Sequence, residues 1–259
     1  MKPDLSTLLR DLEAEHDALD ARVADLTEEQ WQTPTPAEGW DVRDCVSHLH
    51  YFDGTATLAM TDPPAFQQHV EELLGGGLAE GTDVAYGREH GGAALLASWR
   101  RGRGELLAAA RAADPAQRVP WYGPPMSLAS FVTARLMETW AHGQDVADAL
   151  GLRPVISDRL KHVCHIGVGA RAYAYAVHGV TDGGAPVRVE LSGPGQGEWG
   201  PEDAPDRITG TALDFALLVT QRRHRDDVQL QVVGDTAQEW MSIAQAYAGP
   251  AGTGRKPLS

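Results

Sequence analysis

Glu138 and His142 stand four residues apart in the stretch Ser127 to Gly151, whose apolar residues recur at helical spacing. Both side chains therefore leave one face of a helix, one above the other. That is how a helix offers two ligands to one metal ion, although solvated neighbours or a plain ion pair would show the same spacing. His48 is the natural third candidate. It sits midway along another amphipathic stretch, among Cys45, Val46 and Leu49, where an imidazole without a partner would be costly. His50 lies on the same stretch, but two positions along a helix it points roughly 200° away. One metal could hardly take both.

The elements that must position these residues can be read in order. Leu5, Leu8, Leu12, Leu19, Val23 and Leu26 form one buried stripe of a first helix. Thr27 to Gln30 has the pattern of a capping box, and two prolines and a glycine between Thr33 and Gly39 reverse the chain. A second main helix is expected from an Asp41 cap. A short helix should run from Pro63 and Pro64 through Leu74, where Gly75, Gly76, Gly77 and Gly81 break the pattern and suggest a mobile edge. A third long helix is expected from Arg88 to Ala113. The loop Trp121 to Met126, rich in aromatics and proline, leads into the Glu138/His142 helix and either lines a pocket or covers the bundle end. Another helix is predicted from Ser157 to about His178.

From Pro186 the period changes. Val187 to Leu191 and Val228 to Val232 alternate as half-buried strands do, with a short strand at Asp206 to Gly210, a helical run at Leu213 to Val219 and a last helix at Thr236 to Ala248. The expected organisation is an all-helical metal-binding domain over residues 1–184, a small α+β domain over 185–250, and a disordered tail over 251–259.

With 36 acidic against 22 basic residues, the net charge of -14 opposes binding to nucleic-acid phosphates or anionic lipid. The basic run Arg222 to Arg225 is small, is followed at once by Asp226 and Asp227, and suits a helix C-terminus without any function. Cys45 and Cys164 form no metal-ribbon or redox pattern, which fits a reducing compartment. The acidic N-terminus lacks the features of a signal peptide, and no apolar run approaches the roughly 20 residues needed to cross a bilayer. A cytoplasmic protein is expected.

The stretch Trp40 to Leu49, WDVRDCVSHL, and the stretch Glu138 to Val146, ETWAHGQDV, together resemble the two metal motifs of the mycothiol-dependent maleylpyruvate isomerase family. That family lies within the DinB-like superfamily of metal-binding four-helix bundles, and members often carry a small C-terminal domain similar to sterol carrier proteins. The resemblance implies a DinB-like four-helix bundle followed by a sterol-carrier-like α+β domain, with His48, Glu138 and His142 as metal ligands and His50 outside the set. Two imidazoles and a carboxylate suit Zn²⁺ and leave a position open, though Ni²⁺, Fe²⁺ or Mn²⁺ would accept the same donors. An open position can take a thiol and lower its pKa.

By resemblance that thiol is mycothiol. It would add to a small electrophile, giving either S-transfer or, after rotation and elimination, isomerisation. The resemblance also places Arg222 against a substrate carboxylate, a role to which Arg is suited. Asp145 either orients His142 or is an exposed acid, and the exposed reading is preferred here. Cys45 reads as a buried structural residue. Trp140 should pack away from the metal, against a neighbouring helix or the partner in a homodimer. Two other classes compete: a metal hydrolase using bound water, with Asp145 or His16 as base, and a binding protein for an apolar ligand with a structural metal.

Overall fold

Capping chemistry fixes the starts of the second, third and fourth helices in the computed structural model, which describes residues 4–75, 81–252 and 254–258. After α1 (Leu5–Val23), the Thr27 hydroxyl accepts from the Gln30 amide while the Gln30 side chain accepts from the Thr27 amide, opening α2 (Glu28–Trp31). Asp41 and Asp44 make the same reciprocal pair at the head of α3 (Val42–Thr61). Asp62 caps α4 (Pro63–Leu74), which carries proline in its first turn. Gly76 and Gly77, read as pattern breakers, lie outside the described residues.

The long helix expected over 88–113 is two helices. α5 (Thr82–His90) stops where Gly91 takes a φ of 77° and its amide bonds to the Gly87 carbonyl at 2.9 Å. α6 (Gly92–Ala112) starts at once, because Gly92 lies flat on the Trp31 indole, where a Cβ would come within 2.2 Å of a ring carbon. A two-residue hairpin, β1 (Arg118–Val119) with β2 (Met126–Ser127), carries the aromatic loop and delivers the Ser127 cap to α7 (Leu128–Ala149).

Residues Met1–Val155 form one compact unit. Its four long helices are α1, α3, α6 and α7: α3 packs on α6 and α7, and α1 on α7 and α6. Leu12, Leu19, Val46, Leu49, Leu95, Trp99 and Val146 fill the space between them. One buried polar group comes from each helix. Asp53 accepts from Trp99 Nε1 at 3.1 Å and from Arg135 at 3.0 and 3.2 Å, with His16 Nε2 3.9 Å away. Asp53 is 0% exposed, so the Arg135 charge is what makes its burial tolerable.

Ile156–Ser259 form the second unit, so the boundary falls at 155/156 and not at 184/185. The physical reason lies in the helix expected over 157–178. It is split at Ala170 into α8 (Leu160–Gly169) and α9 (Arg171–Val177). Gly167 of α8 presses on Val219 and Phe215, and α9 packs on the last helix. The mixed sheet has the order β4-β3-β5-β6. β3 (Val187–Ser192) runs parallel to β5 (Asp206–Thr211), with Val189 beside Ile208. β4 (Gly197–Trp199), inside the expected turn region, and β6 (Gln231–Val233), three residues later than expected, pair antiparallel at the two edges. α10 (Ala212–Val219) and α11 (Asp235–Ile243) complete the α+β unit. In the tail, the Gly252 amide bonds to Gln245 and the Leu258 amide to Asp227. No helix among the described residues is long and apolar enough to cross a membrane.

Candidate metal centre

α3 and α7 face one another, and this brings His48 against Glu138 and His142. One donor atom from each of the three lies within 4.8 Å of the others. The two imidazole centroids are 4.7 Å apart, and His142 Nε2 is 3.6 Å from Glu138 Oε2. Two donors on a tetrahedral Zn²⁺ at about 2.1 Å stand roughly 3.4 Å apart, so the spacing suits a single cation.

The orientation of the rings strengthens that fit. His48 Nδ1 bonds to Asp83 Oδ2 at 2.7 Å, and His142 Nδ1 lies 3.3 Å from Asp145 Oδ2. A carboxylate bonded to one ring nitrogen is how metal-ligating histidines are held with the other nitrogen toward the ion; His48 has that bond, and His142 has a carboxylate beside its ring. The hydrogen bond from His48 holds the Asp83 carboxyl below its ordinary pKa. Trp40 stacks on His142 with centroids 5.7 Å apart and planes 16° from parallel, and Phe52 lies 4.5 Å from the His48 ring. The result is two imidazoles pinned between aromatic walls, with Glu138 about one-fifth exposed beside them.

Asp145 is not the exposed acid expected from the sequence. It is 0% exposed, because a position three residues past His142 lies on the buried side of α7. Cys45 is also buried, and its thiol belongs to a second close group with His142 and Asp145. His50 turns away, to Ser98 at 3.3 Å and the Tyr86 ring at 5.1 Å. Trp140 is buried within its own unit, its Nε1 donating to the Val155 carbonyl at 3.3 Å. His16 is 1% exposed and faces Asp53 and Trp99; burial pushes its pKa down to about 4. Arg222 belongs to the second unit, where it is half-buried and Nη1 donates to the Thr220 carbonyl at 2.7 Å.

Asp83 is the site residue that sequence spacing could not supply. It comes from α5, 35 residues from His48, in a stretch with weak periodicity.

Residues 12–147 match the profile of a family described as mycothiol maleylpyruvate isomerase N-terminal domain. An uncharacterized protein from two strains of Mycobacterium tuberculosis is 44% identical over 255 residues, spanning 97% of this chain and 99% of its own length. Crystal structures of mycothiol-dependent maleylpyruvate isomerase and of a histidine-to-alanine mutant of it superpose with TM-scores of 0.59 and 0.58. Each is 14% identical to this chain and covers 88% of it and 93% of its own chain, a likeness of fold.

Proposed function

The chain belongs to the mycothiol maleylpyruvate isomerase N-terminal domain family, and from that premise we propose that it is a thiol-dependent enzyme with mycothiol as cosubstrate. The observation that carries this reading is the convergence of His48, Glu138 and His142, with a carboxylate behind each imidazole. His48, Glu138 and His142 would hold a divalent cation, Zn²⁺ by donor type. When bound, such an ion supplies a Lewis acid that lets a thiol reach its nucleophilic thiolate form at neutral pH.

The protein's own groups do the rest. Asp83 fixes the tautomer and angle of the His48 imidazole, and Asp145 puts a negative charge beside His142. Trp40 and Phe52 pack against the rings and limit how far they can turn. Arg222 is assigned to a substrate carboxylate by family resemblance, and Arg222→Ala should then raise KM for an acidic substrate. The thiolate adds to a small electrophile, after which the adduct either departs as product or eliminates the thiol once the bond has rotated. The hydrolase alternative is weakened because both of its general-base candidates are buried, Asp145 at 0% and His16 at 1% exposure.

The test is bound metal by mass spectrometry in protein purified without added metal, followed by mycothiol titration of Co²⁺-substituted protein. Wild type should carry about one ion per chain, His142→Ala should lose it, and the thiol should produce a thiolate-to-cobalt charge-transfer band. Bound metal without that band would overturn the thiol reading and return the hydrolase and structural-metal readings.

A further inference from the structure

The basic run Arg222 to Arg225 does not end a helix but follows one. α10 stops at Val219, and Gln221 takes a φ of 57°, a left-handed conformation usually left to glycine. The turn lets the Gln221 amide donate to the Leu218 carbonyl at 2.9 Å and the Arg222 amide to the Leu217 carbonyl at 2.8 Å. The Gln221 side chain ties this turn to the segment after α11. Its amide donates to the Ala244 carbonyl at 3.3 Å, and its oxygen accepts from the Tyr247 hydroxyl. The run is thereby turned away from the helix and onto the wall of a cavity.

That cavity holds about 660 Å³, within the roughly 300 to 1,000 Å³ of small-molecule sites, and the residues lining it belong to the second unit. Leu218, Val228 and Met241, each buried, give it an apolar surface. Its charged lining is Arg223, Arg225 and Arg255 against Asp226, whose side chain is 76% exposed, with His224 beside them. This local excess of cations runs against the chain's net charge of -14. Arg225 is the most informative of the three. It is half-buried and donates to the Val228 carbonyl at 3.4 Å and to the Leu230 carbonyl at 2.8 Å, and among the described residues no carboxylate pairs with it. A guanidinium has five N–H groups, so most of its donors remain to be met.

We propose that this cavity binds a small organic anion, with its carboxylate held by Arg225 in the field of Arg223 and Arg255 and its apolar body against Leu218, Val228 and Met241. A guanidinium receives a carboxylate through two parallel hydrogen bonds, which fixes the orientation of the ligand as well as its charge. A bare inorganic ion would leave the apolar surface in contact with water. A purely apolar ligand would strip water from the guanidiniums and return no hydrogen bond. The site needs neither metal nor thiol, and it goes beyond the reaction proposed at His48, Glu138 and His142.

The experiment uses two fluorescent probes, 8-anilinonaphthalene-1-sulfonate and N-phenyl-1-naphthylamine, which share an aromatic body and differ by the sulfonate, a stand-in for the carboxylate. The full chain, without added metal or thiol, should bind the sulfonate saturably at about one site. Arg225→Met should weaken that binding about tenfold or more, the loss expected for a hydrogen bond to a charged group, and Arg225→Lys should keep most of it. Gln238→Glu guards against a folding defect, because Gln238 lines the cavity from an exposed position on α11. The added negative charge should weaken the sulfonate about threefold or more. The neutral amine should bind the variants as it binds wild type. The proposal is overturned if wild type shows no saturable sulfonate binding, if Arg225→Met or Gln238→Glu binds the sulfonate as tightly as wild type, or if Gln238→Glu weakens both probes equally. Should the cobalt protein give no thiol band while these results hold, the anion site stands and the thiol reading alone fails.

Discussion

Replacing Asp83 by Asn keeps the side-chain shape and removes the charge behind His48. The 2.7 Å contact from His48 Nδ1 to Asp83 Oδ2 holds the proton on Nδ1 and leaves Nε2 for the cation. An amide can present either its oxygen or its NH₂ group there, so the tautomer is no longer dictated. Loss of such a partner typically costs about tenfold to a hundredfold in metal affinity, or about 1.4 to 2.8 kcal/mol. The cost to folding is smaller. Asp83 sits in the first turn of α5, where a carboxylate gains about 0.3 to 1 kcal/mol from the helix dipole. The effect on metal should therefore exceed the effect on the metal-free fold.

Competition for Zn²⁺ against a chromophoric chelator measures the first quantity, and urea unfolding of metal-free protein measures the second. Glu89→Gln is the control, since Glu89 lies on the same helix with its side chain 77% exposed. If Asp83→Asn binds Zn²⁺ within twofold of wild type while folded, the carboxylate does not orient His48 as argued. A loss matched by Glu89→Gln would refute the reasoning equally, because it would point to the general field of the helix.

Much of this architecture was legible because it depends on local chemistry. The capping boxes at Thr27 and Asp41 involve side chains three residues apart, and the pairing of Glu138 with His142 follows from the pitch of one helix. What the sequence hid depends on contacts between elements. Gly92 reads as an ordinary small residue of a long helix until Trp31, 61 positions earlier, occupies the space a side chain would need. Asp145 carries the chemical signature of a surface acid. It is buried once α7 packs among its neighbouring helices, with His142 beside it. The domain boundary was misplaced for the same reason. The helices after residue 155 carry no mark of which core they join, and the glycine that seats α8 on Phe215 and Val219 acquires meaning through partners about 50 residues away.

His16 makes stability depend on acid. Burial pushes its folded pKa to about 4 from 6.5, so the unfolded chain binds the proton more readily; stability is full above pH 6.5 and is lost as pH falls toward 4, by about 3 kcal/mol. Urea midpoints across that window should fall less steeply for His16→Phe, and parallel curves for the two proteins would refute the assignment. Arg135→Met leaves Asp53 buried at 0% exposure with its charge uncompensated, which should cost about 3 to 5 kcal/mol in urea unfolding. Adding Asp53→Leu should recover much of that loss, because removing both charges also removes the desolvation penalty that each was offsetting. If the double variant is no more stable than Arg135→Met alone, the defect is one of packing among the four helices and the electrostatic account of the network fails.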